Sequence, residues 1–245
     1  VVYAGVLPVG ALSVICGSSA GLMDQLQPFD VVSFTGSAET ARIIRSHPAV
    51  AQRSVRCNIE ADSLNSALLD PAAEEGSDAF NLLVTEVVRE MTVKSGQKCT
   101  AIRRIFVPRP LFDATARAIA AKLAKVTVGN PRHEAVRMGS LVSREQFDNV
   151  QAGLAQLKTE ATVLFDGSSV PLVDADPAVA ACVAPTLLGC TEPASADVLH
   201  RVEVFGPVAT LMAYDGIEQA HELIRRGEGS LVMSVFSADP AFIAH

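Results

Sequence analysis

An excess of positive charge is missing from this chain. Its 20 Lys and Arg residues are outnumbered by 27 Asp and Glu, for a net charge of −7 at pH 7, so a nucleic-acid footprint is not expected. Cysteine is sparse: five residues, an odd count, with no CxxC and no Cys/His cluster at zinc spacing. That argues against a disulfide framework and a structural zinc site, and fits a reducing, cytoplasmic setting. No apolar run is long enough to span a bilayer. The opening residues, Val1-Val2-Tyr3-Ala4-Gly5, carry no basic segment and are not expected to be a signal peptide. Tryptophan is absent, aromatics make up only 5%, and there is no internal repeat or low-complexity stretch. Both ends read as the interior of an element, so the chain is expected to be part of a longer protein.

What is present is a core-building composition. Of 245 residues, 49% are hydrophobic, enough for one large α/β unit or two small domains. Apolar β-rich runs at 12–16, 30–35 and 54–60 are separated by Gly17-Ser18-Ser19-Ala20-Gly21 with a short helix to about 27, and by a helix at 38–46 stopped by Pro48. Strands alternating with helices predict right-handed βαβ units, a parallel sheet and helices on both faces. Further along, the pattern predicts strands at 65–70, 104–107, 126–129, 162–165, 182–188, 208–212 and 229–236. Helices are predicted at 76–93, 111–125, 143–157 and 215–226, with another starting near Asp239. On the 76–93 helix, Phe80, Leu83, Val84, Val87, Val88 and Met91 recur at helical spacing and belong to the core.

Chemistry concentrates in Lys94-Ser95-Gly96-Gln97-Lys98-Cys99-Thr100, a polar link between the 76–93 helix and the 104–107 strand. Gly96 permits close approach of the backbone to another group. Lys98, Arg103 and Arg104 place positive charge nearby, which favours the nucleophilic thiolate. Taken alone, Cys99 still reads as a small buried hydrophobe. Thr35-Gly36-Ser37 lies at the carboxyl end of a strand and opens a helix, which suits a phosphate but equally a plain N-cap. Glu60 falls at another strand's carboxyl end, where alone it reads as a solvated terminus. Glu203 and Phe205 precede the sharp turn Gly206-Pro207, and alone read as a loop residue beside a core aromatic.

Three pieces taken together, Phe34-Thr35-Gly36-Ser37, Gly96-Gln97-Lys98-Cys99 and Glu203-Val204-Phe205-Gly206-Pro207, resemble the aldehyde dehydrogenase superfamily in order and spacing, and Leu7-Pro8-Val9-Gly10-Ala11-Leu12 is similar to the segment ahead of its cofactor loop. Ile59-Glu60-Ala61-Asp62-Ser63-Leu64-Asn65 and Val87-Val88-Arg89-Glu90-Met91-Thr92 resemble one branch, the semialdehyde dehydrogenases of bacterial aromatic catabolism through CoA thioesters, as in phenylacetate and benzoyl-CoA degradation.

The resemblance implies residues 1–60 as the later part of a Rossmann-like cofactor domain and 61–245 as the catalytic domain. It implies Cys99 as nucleophile, Glu60 as general base, Gly36 and Ser37 beside the cofactor pyrophosphate, Glu203 on the nicotinamide ribose and Phe205 against its ring. The Cys99 N–H would form half of an oxyanion hole. The cofactor would be NADP or NAD, with the branch favouring NADP. The substrate would be a small aldehyde carried on a CoA thioester, with no nucleic-acid or membrane partner, and the intact protein would be a homo-oligomer. Two departures stand out: Ala61-Asp62-Ser63 replaces the usual glycine-rich run, and Glu60 and Cys99 lie 39 positions apart, more than in ordinary members. The family's early Rossmann strands, its ribose-binding lysine and its oxyanion asparagine are not in these residues. The isolated chain is therefore expected to oxidise aldehydes poorly while keeping slow, cofactor-free acylation of Cys99. Rival readings are a CoA-acylating enzyme, against which Glu60 argues, a Cys–His hydrolase or acyltransferase using His47, His133, His200, His221 or His245, and a folded but inactive fragment.

Overall fold

The computed structural model describes residues 6–17, 21–61, 63–228 and 230–244. The chain divides into two compact units, Val1–Ala61 and Asp62–His245.

In the first unit, β1 (Val31–Gly36), α1 (Ala38–Ser46), α2 (Pro48–Arg53) and β2 (Arg56–Ala61) follow in order. β1 and β2 run parallel, with Thr35 opposite Glu60 and Gly36 opposite Ala61. Alternation sets the faces of β2: Arg56, Asn58 and Glu60 are exposed, whereas Cys57, Ile59 and Ala61 are half-buried. Pro48 does more than end α1. It occupies the first turn of α2, where a missing N–H costs nothing, and the His47 ring accepts the Ala49 N–H at 3.3 Å. The expected strand at 12–16 is not formed. Every described residue from 6 to 17 is exposed, so no packing offsets the entropy of extending the chain. The expected helix before Gln27 shrinks to one 3₁₀ turn, Met23–Gln25. Residues 18–20 of the predicted glycine-serine loop lie outside the described residues.

The second unit contains β3 (Ser66–Leu69), α3 (Asp78–Thr92), β4 (Arg104–Pro108), α4 (Phe112–Leu123), α5 (Arg144–Leu157), β5 (Thr162–Asp166), β6 (Thr186–Cys190), β7 (Val208–Tyr214), α6 (Ile217–Arg225), β8 (Met233–Phe236) and α7 (Pro240–Ala244). Its six-stranded sheet has the order β5-β6-β7-β4-β3-β8, parallel throughout except for β5 against β6. The central strands are buried on both faces, which is why they read as unbroken apolar runs. Ala67, Leu69, Ile105, Val107, Leu211 and Ala213 pack with Phe80, Leu83, Val87, Met91 and Ile119 of α3 and α4. The alternate residues, Leu68, Phe106, Met212 and Tyr214, pack with Val150, Leu154 and Leu157 of α5 and Leu223 of α6. Val88 is half-buried, at the margin of the first cluster.

Three strand expectations are corrected here. Residues 126–129 make only isolated bridges, Val128 to Met138 and Gly129 to Val173. The run at 182–188 pairs only from Thr186, because Pro185 has no N–H to give to a ladder. The last strand begins at Met233, and Gly229 lies outside the described residues. Among the described residues, no helix is long and apolar enough to cross a membrane.

Candidate active site

α3 delivers the cysteine loop. Ser77 caps its start by accepting the Phe80 N–H at 3.3 Å, and the apolar stripe holds the helix to the sheet. After Thr92 the chain turns through three successive left-handed residues: Lys94 (φ 53°), Ser95 (φ 56°) and Gly96 (φ 71°). For the two non-glycine residues this costs about 1–2 kcal/mol each. The surroundings hold the turn in place. The Ser95 hydroxyl donates to Gly139 O at 2.9 Å, and Gln97 Oε1 accepts the Val142 N–H at 2.9 Å. Gly96 meets the close approach expected of it. A β-carbon there would overlap the Gly206 carbonyl and stand 2.7 Å from the Pro207 nitrogen. The loop carrying Cys99 is thereby seated on the Glu203–Pro207 segment.

Cys99 is exposed, as a nucleophile must be and a packing cysteine need not be. Its carbonyl accepts from Asn65 Nδ2 at 2.8 Å, and the same amide nitrogen donates to Ala101 O at 2.9 Å. Asn65 Oδ1 accepts the N–H groups of Leu231 and Val232 at 3.1 and 3.0 Å. Among the described residues the Cys99 N–H has no acceptor, so it remains available to a developing oxyanion.

The three cations expected beside the sulfur are engaged elsewhere. Lys98 pairs with Glu90 at 2.7 Å. Arg104 is buried under the sheet, where it donates to Leu223 O and Ile224 O at 2.9 Å and to His200 Nδ1 at 3.0 Å. It thus satisfies last-turn carbonyls of α6 that have no partner within the helix. Arg103 is also buried. It donates from Nη1 to Gly206 O and from Nη2 to Gly96 O, each at 2.8 Å.

Glu203 and Phe205 meet the cysteine loop through Arg103. Glu203 Oε1 lies 3.6 Å from Arg103 Nε, and Oε2 accepts the Ser63 N–H at 3.0 Å. The half-buried Phe205 ring lies 5.5 Å from the Arg103 guanidinium carbon, and Gln146 holds the Phe205 carbonyl at 2.9 Å. Burial pushes the Arg103 guanidinium down, while the Glu203 charge opposes that shift.

The remaining predicted site residues belong to the first unit. Glu60 is exposed at the carboxyl end of β2, registered with Thr35. Ser37 caps α1, its hydroxyl accepting the Thr40 N–H at 3.2 Å, so the helix presents its positive end at the tip of β1. These features fit a phosphate group. Gly36 has a packing reason of its own: the Phe34 ring lies where a β-carbon would be.

None of the four described histidines hydrogen-bonds to Cys99. His47 caps α2, His133 accepts the Ala135 N–H at 3.2 Å, His200 is buried with Arg104, and His221 is exposed. His245 lies outside the described residues. Three residues escaped the sequence reading in these roles. Asn65 ended the run that resembles the branch and began an expected strand, but neither feature pointed to its hydrogen bonds to the cysteine loop. The Arg103-Arg104 pair at the start of an apolar strand did carry one, because paired charges entering a buried run must find buried partners.

Residues 1–244 match the aldehyde dehydrogenase family. Over 244 residues the chain is 54% identical to the 3,4-dehydroadipyl-CoA semialdehyde dehydrogenase of Aromatoleum evansii, covering 99% of this chain and 47% of that protein. It is 29% identical to a hydroxyisobutyraldehyde dehydrogenase of Mycolicibacterium austroafricanum, covering 97% of this chain and 45% of that one. Among solved structures, a betaine aldehyde dehydrogenase of Staphylococcus aureus in complex with NAD+ superposes with a TM-score of 0.71 at 27% identity, over 86% of this chain and 41% of that one. The chain spans about half the length of the curated relatives it matches.

Proposed function

Because the chain belongs to the aldehyde dehydrogenase family, we propose that it carries the nucleophile, the base and part of the cofactor site of an enzyme that oxidises a CoA-linked semialdehyde to the free acid. The observation that carries this reading is the placement of an exposed Cys99 on a loop seated against the Glu203–Pro207 segment. The relation to the Aromatoleum protein supports the choice of aldehyde.

The Cys99 sulfur adds to the aldehyde carbon, and the Cys99 N–H stabilises the oxygen that gains charge. A bound nicotinamide supplies the acceptor for the hydride that the thiohemiacetal carbon releases. Cys99 is left as a thioester, and Glu60 takes a proton from the water that attacks it, freeing the acid and the thiolate. Ser37 and the start of α1 hold the cofactor's pyrophosphate, Glu203 its nicotinamide ribose, and Phe205 walls the ring. The branch resemblance favours NADP over NAD.

The test follows nicotinamide reduction by a protein containing this chain when given a CoA-linked semialdehyde and NADP, with product identification. The reading expects a free acid and no activity in Cys99→Ser. A new CoA thioester as product, or activity that survives Cys99→Ser, would overturn it. The isolated 245-residue chain is expected to turn over poorly and still be acylated at Cys99.

A further inference from the structure

We propose that Arg103 is a positioning residue that locks the nucleophile's loop to the Glu203–Phe205 segment, so that a change at Glu203 is felt at Cys99. This rests on Cys99 being the nucleophile.

Arg103 opens the approach to β4, yet its side chain is only 3% exposed. Burying a guanidinium is costly unless its donors are satisfied, and here their partners come from two segments. From the cysteine loop come Gly96 O at 2.8 Å and Lys98 O at 3.4 Å, carbonyls just ahead of Cys99. From the other segment come Gly206 O at 2.8 Å, the Phe205 ring at 5.5 Å and the Glu203 carboxylate at 3.6 Å. One rigid planar fork therefore sets the spacing between the loop and the segment it rests on. A lysine has no such fork and could serve only one side.

The exception is Nε, a buried donor with no hydrogen-bond acceptor. It faces Glu203 Oε1 at 3.6 Å, so a movement of roughly half an ångström would bring the carboxylate within hydrogen-bonding range. The clamp is hydrogen-bonded on its backbone side and ion-paired at longer range on its Glu203 side. A shift of Glu203 thus bears directly on the guanidinium that holds Gly96 O and Lys98 O. The Lys98 carbonyl shares a peptide plane with the Cys99 N–H and so sets its direction.

Cofactor-free acylation of the chain by p-nitrophenyl acetate tests this through the burst of nitrophenolate, with rate constant and amplitude read separately and Cys99→Ser as the blank. In Arg103→Met the burst rate constant is expected to fall by roughly tenfold or more at unchanged amplitude per folded molecule, as for a misplaced reacting group. Arg103→Lys should not restore it. Glu203→Gln should change the rate constant in the Arg103 background and not in Arg103→Met, a non-additivity that marks coupling. If Arg103→Met does not fold, the same comparison is made in Arg103→Lys. A residue that only supports the fold would lower the amplitude and leave the rate constant unchanged, and additive effects of the two substitutions would equally overturn the proposal. A wild-type chain with no burst would instead remove the nucleophile reading itself, and this inference with it.

Discussion

Gly96 and Gly206 meet backbone to backbone: a side chain on Gly96 would occupy the volume of the Gly206 carbonyl. The loop bearing Cys99 therefore rests on the segment bearing Glu203 and Phe205 with no side chain between them at this point. Gly96→Ala must relieve the overlap and also adopt φ 71° with a β-carbon. The expected cost is about 1–3 kcal/mol, read as a lower urea midpoint, together with a slower Cys99 acylation burst. An unchanged burst at reduced stability would mean that the contact serves the fold alone.

Arg104 and His200 form a second buried contact, and it titrates. His200 Nε2 faces Pro193 O at 2.9 Å and Nδ1 faces Arg104 Nη1 at 3.0 Å, so the ring donates at Nε2, accepts at Nδ1 and is neutral. Burial pushes the imidazole down to about 4, the Pro193 contact offsets this in part, and Arg226 and Arg104 add repulsion. The folded-state value lies below the unfolded one of about 6.5. Stability from this group is thus complete above pH 6.5 and is lost as the pH falls towards 4, when the unfolded chain binds the proton and the folded chain resists it. Between pH 7 and 4.5, wild type is expected to lose on the order of 2 kcal/mol more than His200→Gln. Parallel urea-midpoint profiles for the two proteins would contradict this.

The core supplies a paired control. Leu83 is fully buried between α3 and the sheet, whereas its neighbour Leu82 is 54% exposed. Leu83→Ala should cost about 2–5 kcal/mol, and Leu82→Ala no more than about 0.5 kcal/mol. Thermal unfolding of the two variants checks this. Equal losses would mean that α3 presents a different face to the sheet.

Periodicity made most of this arrangement legible. The stripe from Phe80 to Met91 could be read as one buried helix face, and the runs around Val107 and Leu211 as strands, because both patterns are local. Residues 12–16 misled, since a β-rich run says nothing about whether a partner strand is present. Pro48 was read as a stop because its missing N–H forbids a helix interior, yet the same property suits a helix start. Cys99, Glu203 and Phe205 were singled out through motif order. The link between them through Arg103 was not, because it depends on three-dimensional neighbours 103 positions apart in the chain. Lys98, Arg103 and Arg104 were assigned to the sulfur on sequence proximity alone, and each is engaged with partners sequence proximity did not reveal.

The proposed base can be separated from the nucleophile by the step it serves. Glu60→Gln should leave the acylation burst intact and slow the following steady state by about 10²–10⁴-fold, so that acyl-enzyme accumulates. Intact-mass analysis of the quenched reaction would detect it. A steady state matching wild type would remove Glu60 from the mechanism.

The most direct test of Cys99 as nucleophile is to locate the acyl group by peptide mass spectrometry after brief p-nitrophenyl acetate treatment. The five free cysteines provide the internal comparison: Cys16 is exposed like Cys99, Cys57 and Cys182 are half-buried, and Cys190 is buried. The account predicts acetyl on Cys99 well ahead of Cys16, and none at position 99 in Cys99→Ser. Acetyl on Cys16 with Cys99 unmodified would contradict it.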